Sequence, residues 1–340
     1  MIRIALIGCN NATADYADVV SRLQGGRLAA VVDPDDTLAR RTAETLDAPL
    51  RAASFEDLLR DHADDFDAVI IRRPDGSPQA VVAQAAGAGK HVLLDMPLML
   101  RIRPGETPVA ACRSAGVTFM LGQPARFLPS VAEVKNCLRS GVLGAPGLLR
   151  LHNWSPSDTD QPVAIFQALL PDVDLANWLF DAQPTEVYAA GRRKGTDPID
   201  GSGPQDASHE PDLSPFSYVQ VHLGYEDGGM ALIDHSMMLP PGSDYFSLSV
   251  FGSAGAAYAD DHHNMHLLYR GGCPTALPAG QGKLHHLAEL QAFVNAIETG
   301  HPSAIAIDDG HKATEVVRAA GRSLTAGRAM RLIGSSYEFV

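Results

Sequence analysis

The sequence predicts an α/β protein with an N-terminal domain built on a doubly wound parallel sheet, followed by a C-terminal α+β domain with a large, mostly antiparallel sheet. Short apolar runs alternate with helical patterns over about the first 120 residues. Longer runs of alternating polarity follow. Because 340 residues exceed one typical core, we expect two domains, 1–121 and 122–340.

The first domain has five predicted strands, each an apolar run followed by a turn signal. They cover residues 2–7, 28–32, 68–71, 92–94 and 118–121. Apolar residues at helical spacing predict helices over 37–46, 54–61 and 79–88. Strands that alternate with helices favour a parallel sheet covered on both faces.

The second domain has strand patterns with one covered face, over 147–153, 184–190, 218–225, 231–238 and 246–251. Helical patterns interrupt them over 131–140, 173–180, 284–299 and 310–326. The segment 195–215 is dense in Gly, Pro, Ser and Asp, which predicts a mobile loop.

Composition argues against several kinds of partner. A formal charge of −13 repels phosphate backbones, so we expect no nucleic acid partner. No apolar run reaches the roughly 18 residues that span a bilayer, and the N-terminal strand is too short for a signal peptide, so we expect no membrane association and a cytoplasmic location. Without a Cys-x-x-Cys pair, reduced and buried thiols are expected at Cys9, Cys112, Cys137 and Cys273.

The turn after the first strand has part of a dinucleotide-binding pattern. Gly8, Asn10 and Thr13 occupy the three positions at which such a turn prefers glycine. Asp33 follows the second strand, where a carboxylate would bind the adenosine ribose hydroxyls and repel a 2′-phosphate. This context favours NAD over NADP. The alternative is a simple strand-ending turn at residues 32–35.

A histidine-rich run, His262-His263-Asn264-Met265-His266, has spacings that would suit metal ligands on a helix. Its neighbours favour a loop beside a strand, and a clear third ligand is missing, so we predict no metal. Nucleophile-elbow, zinc-helix and P-loop motifs are also absent from the sequence, which removes the usual hydrolase and kinase functions.

Several landmarks follow one another along the chain. They are Val31-Val32-Asp33-Pro34, Asp67-Ala68-Val69-Ile70-Ile71 with Arg73-Pro74-Asp75, Gly89-Lys90-His91-Val92, Arg126-Phe127, Asp172 to Leu179, Phe251-Gly252-Ser253-Ala254-Gly255 and Glu289 to Ile297. Together and in this order, they resemble the glucose-fructose oxidoreductase and inositol dehydrogenase family, Gfo/Idh/MocA. The resemblance covers nearly the whole chain.

This resemblance implies an N-terminal Rossmann domain that binds NAD, and a cleft for a small sugar- or polyol-like ligand. It also implies that an open sheet joins subunits into a homodimer or homotetramer. Taken with the turn pattern, it places cofactor contacts at Gly8, Asn10, Asn11, Asp33, Arg73, Pro74 and Asp95.

The resemblance also marks three catalytic positions that depart from the family pattern. Met96 stands where the family has the lysine of Glu-Lys-Pro, and Gln167 and Pro171 stand where it has an Asp-x-x-x-His pair. None of the three can transfer a proton, a function typically worth ~10²–10⁴-fold in rate. The replacements favour a binding or regulatory homologue. The alternative is an active NAD-dependent dehydrogenase or reductase of a sugar or polyol with a nonstandard proton donor.

Four side chains of the second domain are candidates for that donor: His152, His209, His235 and Tyr245. We prefer His235, which lies late on a predicted strand before a Pro-Gly turn. A hydrogen-bonded structural histidine is the competing interpretation, and it is the commoner case when no partner is known.

Overall fold

The computed structural model describes residues 1–9, 16–102, 108–156, 165–193, 216–239, 245–260, 265–269, 275–278 and 284–340. The predicted α/β class is confirmed, with one parallel and one mostly antiparallel sheet. The chain forms two compact units, Met1–Phe127 with Lys283–Gly310, and Leu128–Gly282 with His311–Val340. We predicted one domain boundary after residue 121. The structure instead includes residues 283–310 in the first unit.

The first unit begins with alternating strands and helices. They are β1 (Ile2–Ile7), α1 (Tyr16–Arg22), β2 (Gly26–Val32), α2 (Asp36–Thr45), β3 (Leu50–Ala52), α3 (Phe55–His62), β4 (Ala68–Ile71), α4 (Pro78–Gly87), β5 (His91–Asp95), α5 (Pro108–Ala115) and β6 (Phe119–Gly122). The strands are parallel in the order β3-β2-β1-β4-β5-β6. The order reverses between β1 and β4, and ligands of such sheets bind at the carboxyl ends of the strands beside this point.

The second unit contains a ten-stranded sheet and its helices. Continuing along the chain, its elements are α6 (Pro129–Arg139), β7 (Pro146–Pro156), α7 (Ile165–Phe180), β8 (Glu186–Arg193), β9 (Phe216–Gly224), β10 (Met230–Leu239), β11 (Tyr245–Gly252), β12 (Ala256–Asp260), β13 (Met265–Tyr269), β14 (Thr275–Pro278), most of α9 (Ile307–Ala326), β15 (Met330–Ile333) and β16 (Ser336–Phe339). Between β14 and α9 the chain forms α8 (Leu284–Thr299), which is part of the first unit. The strand order is β14-β13-β12-β11-β7-β10-β9-β8-β15-β16. Only the central β7–β10 pair is parallel among the described strand pairs of this sheet.

Helix α8 belongs to the first unit, although we predicted it within the second domain. Its side chains Leu290, Phe293 and Val294 are buried in one cluster with Ile4 and Leu28. The apolar spacing predicted the helix correctly, but it could not show which core the apolar face joins.

Helix α7 begins at Ile165, eight residues before the predicted start at 173, with Pro171 inside it. The prediction was wrong because a proline normally ends or kinks a helix by removing one N–H donor. Here Leu169, Leu170 and Val173 are fully buried around the proline. Tertiary packing therefore holds this turn despite the missing donor.

One face of the ten-stranded sheet is covered and the other is more open. On β10, Ala231, Ile233 and His235 are buried, whereas Leu232 and Asp234 between them are half-buried. The predicted loop 195–215 lies entirely outside the described residues. In the described ranges, no helix has the length and apolar character needed to cross a membrane.

Candidate functional site: a dinucleotide groove and a histidine–aspartate pair

Gly8 forms the sharp turn at the carboxyl end of β1. Its φ is +86°, and its N–H donates to the Val32 carbonyl at 2.8 Å. A Cβ atom at this position would lie 2.2 Å from the Arg73 carbonyl oxygen. Only glycine fits here. The positive φ disfavours a side chain, and the backbone of Arg73, which follows β4, occupies the space that a Cβ atom would need.

Asp33 connects the turn after β1 with the turn after β2. It is 8% exposed, and its carboxylate accepts N–H bonds from Cys9 at 2.8 Å and Asp35 at 2.9 Å. A carboxylate has about four acceptor positions, so two remain for ribose hydroxyls. The strand-ending turn and the ribose-binding carboxylate are therefore compatible.

A groove of about 240 Å³ lies at the carboxyl ends of β1, β2 and β4, beside the reversal of strand order. Gly8, Pro34, Ser54, Arg73 and Ser77 are among its lining residues. Arg73 is exposed, and its guanidinium donates to the Cys9 carbonyl at 3.4 Å. A cation beside the glycine turn, in the segment between β4 and α4, suits an anionic pyrophosphate.

The other predicted cofactor residues lie in different places. Pro74 is buried and is not among the groove-lining residues, and Asp95 ends β5, where its carboxylate is 3.4 Å from Arg72 Nε. Asn10 and Asn11 lie outside the described residues.

Cys9, Cys112 and Cys137 are buried, as predicted, and form no disulfide within the described residues. Burial raises the pKa of the Cys9 thiol to about 11. Cys9 is therefore a neutral thiol beside the turn, and its backbone N–H and carbonyl make the polar contacts. Cys273 lies outside the described residues.

Gly8→Ala is expected to weaken NAD binding at least tenfold and to lower stability by ~1–3 kcal/mol, since the methyl group would meet backbone atoms in a strained conformation. Titration calorimetry and the melting temperature measure both effects. Gly89→Ala is the matched control, because Gly89 also has a positive φ but has nothing within 4 Å of an added Cβ. Equal NAD affinities for the two variants would contradict a special role for Gly8.

The three positions at which the resemblance predicts replaced catalytic residues are at least partly buried in the fold. Met96 begins a short 3₁₀ helix after β5 and is fully buried, with its sulfur 3.9 Å from Gln123 Nε2. Gln167 and Pro171 lie one turn apart on α7, and both are half-buried. Neither the thioether nor these two side chains supplies a group that titrates.

His235 belongs to a buried polar network in the second unit. Its Nδ1 lies 2.7 Å from Asp172 Oδ2, and both side chains are 3% exposed. Asn153 Nδ2 donates to the other Asp172 oxygen at 2.8 Å. Because a carboxylate only accepts hydrogen bonds, Nδ1 donates, and in the tautomer with its proton on Nδ1 the lone pair is on Nε2. Within the described part of the chain, the buried Nε2 has no hydrogen-bond partner.

The other candidate donors are not part of this network. His152 lies 2.9 Å from Asp234 Oδ2, and Tyr245 stacks near Trp154 with ring centroids 5.7 Å apart. Positions 234 and 235 point to opposite faces of the sheet, so this cluster and His235 lie on different sides. His209 lies outside the described residues.

The histidine-rich run lies mostly outside the described residues. His262 and His263 are in the part that lies outside, whereas His266 belongs to β13. Elsewhere, the ranges that the structure describes bring together no group of three His, Cys, Asp or Glu side chains suited to a metal ion.

The strand order, the glycine turn, the carboxylate after β2 and the groove together define a dinucleotide-binding Rossmann protein of the oxidoreductase class. The chain belongs to the Gfo/Idh/MocA oxidoreductase family. The family model described as "Oxidoreductase family, NAD-binding Rossmann fold" matches residues 2–123, and the GFO/IDH/MocA C-terminal domain matches residues 131–258. The predicted family and NAD cofactor are thereby confirmed.

Several relatives align over almost the full chain. Inositol 2-dehydrogenase from Acidothermus cellulolyticus is 28% identical, covering 97% of this chain and 94% of the relative. The solved structure of an Agrobacterium radiobacter oxidoreductase with NAD⁺, L-tartaric acid and magnesium has a TM-score of 0.79 at 18% identity, covering 97% and 98%. Aldose-aldose oxidoreductase from Caulobacter crescentus, with glycerol, has a TM-score of 0.79 at 22% identity, covering 97% and 99%. Both solved structures are similar to this chain in fold.

Sequence reasoning proposed His235 but missed its partners. Asp172 appeared only as a family landmark, and Asn153 was not considered. Asp172 is 63 positions from His235 and Asn153 is 19 positions from Asp172, so no local pattern joins them. The sequence offered one indication of this network, which was a histidine at position 235 within the apolar pattern of a predicted strand.

Proposed function

We propose that the protein is a NAD-dependent oxidoreductase that oxidises a hydroxyl group of a sugar or polyol, or reduces the corresponding carbonyl. The single observation that carries this proposal is the orientation of His235 by Asp172, with Nε2 left buried and unpaired in the described structure. An unsatisfied buried nitrogen costs about 1–3 kcal/mol, so a role with a bound partner accounts for it better than packing does.

The residues of the first unit suit NAD in preference to NADP. Asp33 would bind the adenosine ribose hydroxyls through its two remaining acceptor positions, and its charge disfavours a 2′-phosphate. Arg73 and the turn at Gly8 would hold the pyrophosphate. When bound, NAD supplies the hydride acceptor.

His235 is assigned the proton step. During oxidation, Nε2 takes the hydroxyl proton while the carbon–hydrogen bond breaks with its electron pair and the carbonyl forms. Asp172 stabilises the resulting imidazolium, and Asn153 fixes the carboxylate. In the reverse direction the imidazolium returns the proton to the carbonyl oxygen. Such acid–base catalysis typically contributes ~10²–10⁴-fold.

A binding or regulatory homologue is the second candidate, favoured by Met96, Gln167 and Pro171. The oriented imidazole of His235 favours an enzyme instead, since a binding role does not require a base with a defined tautomer. The names of relatives, among them inositol 2-dehydrogenases, support a polyol or sugar as the ligand.

The test is NADH formation with a panel of inositols, aldoses and linear polyols at saturating NAD. Turnover of at least one substrate is expected, and it should persist in Met96→Leu, since this volume-conserving change adds no proton-transfer group. Tight NAD binding without turnover across the panel, in either direction, would establish the binding or regulatory candidate instead.

We further propose that copies of the chain associate as a homodimer or homotetramer through the open face of the ten-stranded sheet. Tyr188, Met230, Met238 and Tyr245 on this face are 40–55% exposed. Exposed apolar side chains gathered on one sheet face are typical of protein interfaces. Light scattering after size exclusion measures the mass in solution, and a monomer at micromolar concentration would contradict this assembly.

A further inference from the structure

A second buried acidic group lies at the carboxyl edge of the parallel sheet, separate from the groove. Asp95 ends β5, Gly122 ends β6, and Glu289 of α8 reaches the same place. A Cβ atom built on Gly122 would lie 3.4 Å from Asp95 Oδ1 and 3.5 Å from Glu289 Oε1. Two carboxyl oxygens therefore flank one point above the strand ends.

Glu289 is the inner member of this pair and Asp95 the outer one. Glu289 is 2% exposed, and its Oε1 has no hydrogen-bond partner in the described ranges. The Asp95 side chain is 28% exposed, so the pair is reachable from solvent through Asp95. A buried carboxyl oxygen without a partner, aimed at the ligand-binding edge of the sheet, indicates a site rather than a packing contact.

The charges around the pair do not balance it. Arg72 is the nearest cation, with Nε 3.4 Å from Asp95 Oδ2. Arg126, on the 3₁₀ helix Pro124–Phe127 that packs against α8, pairs with Asp309 at 3.0 Å. On α8 itself, His285 and His286 precede Glu289 by one turn and stack on each other. Two carboxylates facing one guanidinium leave an excess negative charge.

Burial and this charge excess favour a bound proton. Burial, followed by the charge of Asp95, raises the pKa of the Glu289 carboxyl to about 8, against the opposing effects of the Gln123 N–H and Arg72. Burial also raises the pKa of Asp95, which Arg72 opposes.

The location assigns the pair to one half of the cofactor. A dinucleotide-binding sheet has two mononucleotide-binding halves, and Asp33 marks the first half as the adenosine side. The strands β4, β5 and β6 form the other half, which serves the nicotinamide nucleotide. The nicotinamide ring is cationic when oxidised and neutral when reduced, so its charge differs between the two forms of the cofactor.

We propose that Asp95 and Glu289 together hold one proton in the free protein and in the complex with NADH, and release it to solvent when NAD⁺ binds. The two carboxylates then face the cationic ring together with Arg72. Binding of NAD⁺, but not of NADH, is therefore coupled to deprotonation of this pair. NAD binding is the premise, and the role of His235 does not enter.

The test is the dissociation constant of NAD⁺, NADH and ADP-ribose between pH 7 and pH 9, a window above the ordinary histidine range. The constant for NAD⁺ should fall up to about tenfold as pH rises, because a ligand that displaces a proton binds more tightly once the proton is gone. NADH and ADP-ribose have similar phosphates but lack the positive ring, so their constants should stay level. Calorimetry in buffers of different ionisation enthalpy should show proton release with NAD⁺ alone.

Glu289→Gln removes the titrating group at nearly constant shape, and it should abolish both the pH dependence and the proton release. Asp95→Asn should reduce them too, which provides a second variant if Glu289→Gln folds poorly. Glu298→Gln is the matched control, an exposed carboxylate on the same helix, and it should behave like the wild type. An unchanged pH slope in Glu289→Gln, or equal proton release with NAD⁺ and NADH, would overturn the proposal.

Discussion

Replacing His235 by asparagine is expected to lower kcat by ~10²–10⁴-fold on the best substrate of the panel, with little change in NAD affinity. Asparagine is the informative choice because its Nδ2 amide can replace the Nδ1–H that Asp172 accepts. The hydrogen bond to Asp172 is then kept, while the Nε2 lone pair is lost. Steady-state kinetics at saturating NAD, with separate NAD titration, measures the two quantities.

Controls separate a chemical role for His235 from a structural one. His222→Asn, on the neighbouring strand β9 and exposed, should leave kcat within about twofold, as expected for a surface substitution. Asp172→Asn keeps the imidazole but removes the charge that orients it, so it should also reduce kcat and change the pH profile. A His235→Asn enzyme with normal kcat would make His235 a structural histidine.

Replacing Lys135 by methionine is expected to destabilise the second unit by about 3 kcal/mol, seen as a fall in melting temperature on the order of 6–12 °C. Lys135 is 2% exposed, and its ammonium donates to the carbonyls of Trp178 at 2.5 Å and Leu179 at 3.3 Å. These carbonyls belong to the last turn of α7, where helical N–H donors run out, and Trp178 alone of the two also accepts the Asp181 N–H, at 3.3 Å. Methionine fills the space but leaves them without this charged donor.

The ion pair of Lys135 provides the control for this prediction. Its partner Asp181 lies 2.7 Å away, but the Asp181 side chain is 66% exposed. Asp181→Asn should therefore cost less than about 1 kcal/mol, as exposed ion pairs do. If Asp181→Asn were as destabilising as Lys135→Met, the ion pair and not the helix end would account for the stability. Thermal or urea unfolding of both variants decides between them.

Prediction from sequence succeeded where the pattern is local and strongly apolar. The runs that became β1 and β4 have no competing interpretation, because parallel strands covered on both faces are continuously hydrophobic. It failed for β3, a half-buried strand of three residues, and for α5, which has no long apolar stripe. These elements form because they pack against stronger neighbours.

Some features of the candidate sites follow from local sequence patterns, and others depend on the fold. Gly8 and Asp33 could be predicted because a turn and a carboxylate at the ends of successive strands follow a known spacing. The pairing of Asp95 with Glu289 could not, since the two residues lie on a strand and a helix that are distant in sequence. Only the return of α8 to the first unit brings them together.

The sequence by itself determined the alternation of strands and helices, the glycine turn, and the presence of side chains that do not titrate at Met96, Gln167 and Pro171, because each depends on residue type and near-neighbour spacing. The tertiary structure alone decided which unit α8 joins, that α7 continues through Pro171, and that Asp172 orients His235. These outcomes depend on burial and hydrogen bonding between distant segments, where the cost of leaving a polar or apolar group unsatisfied exceeds any local preference.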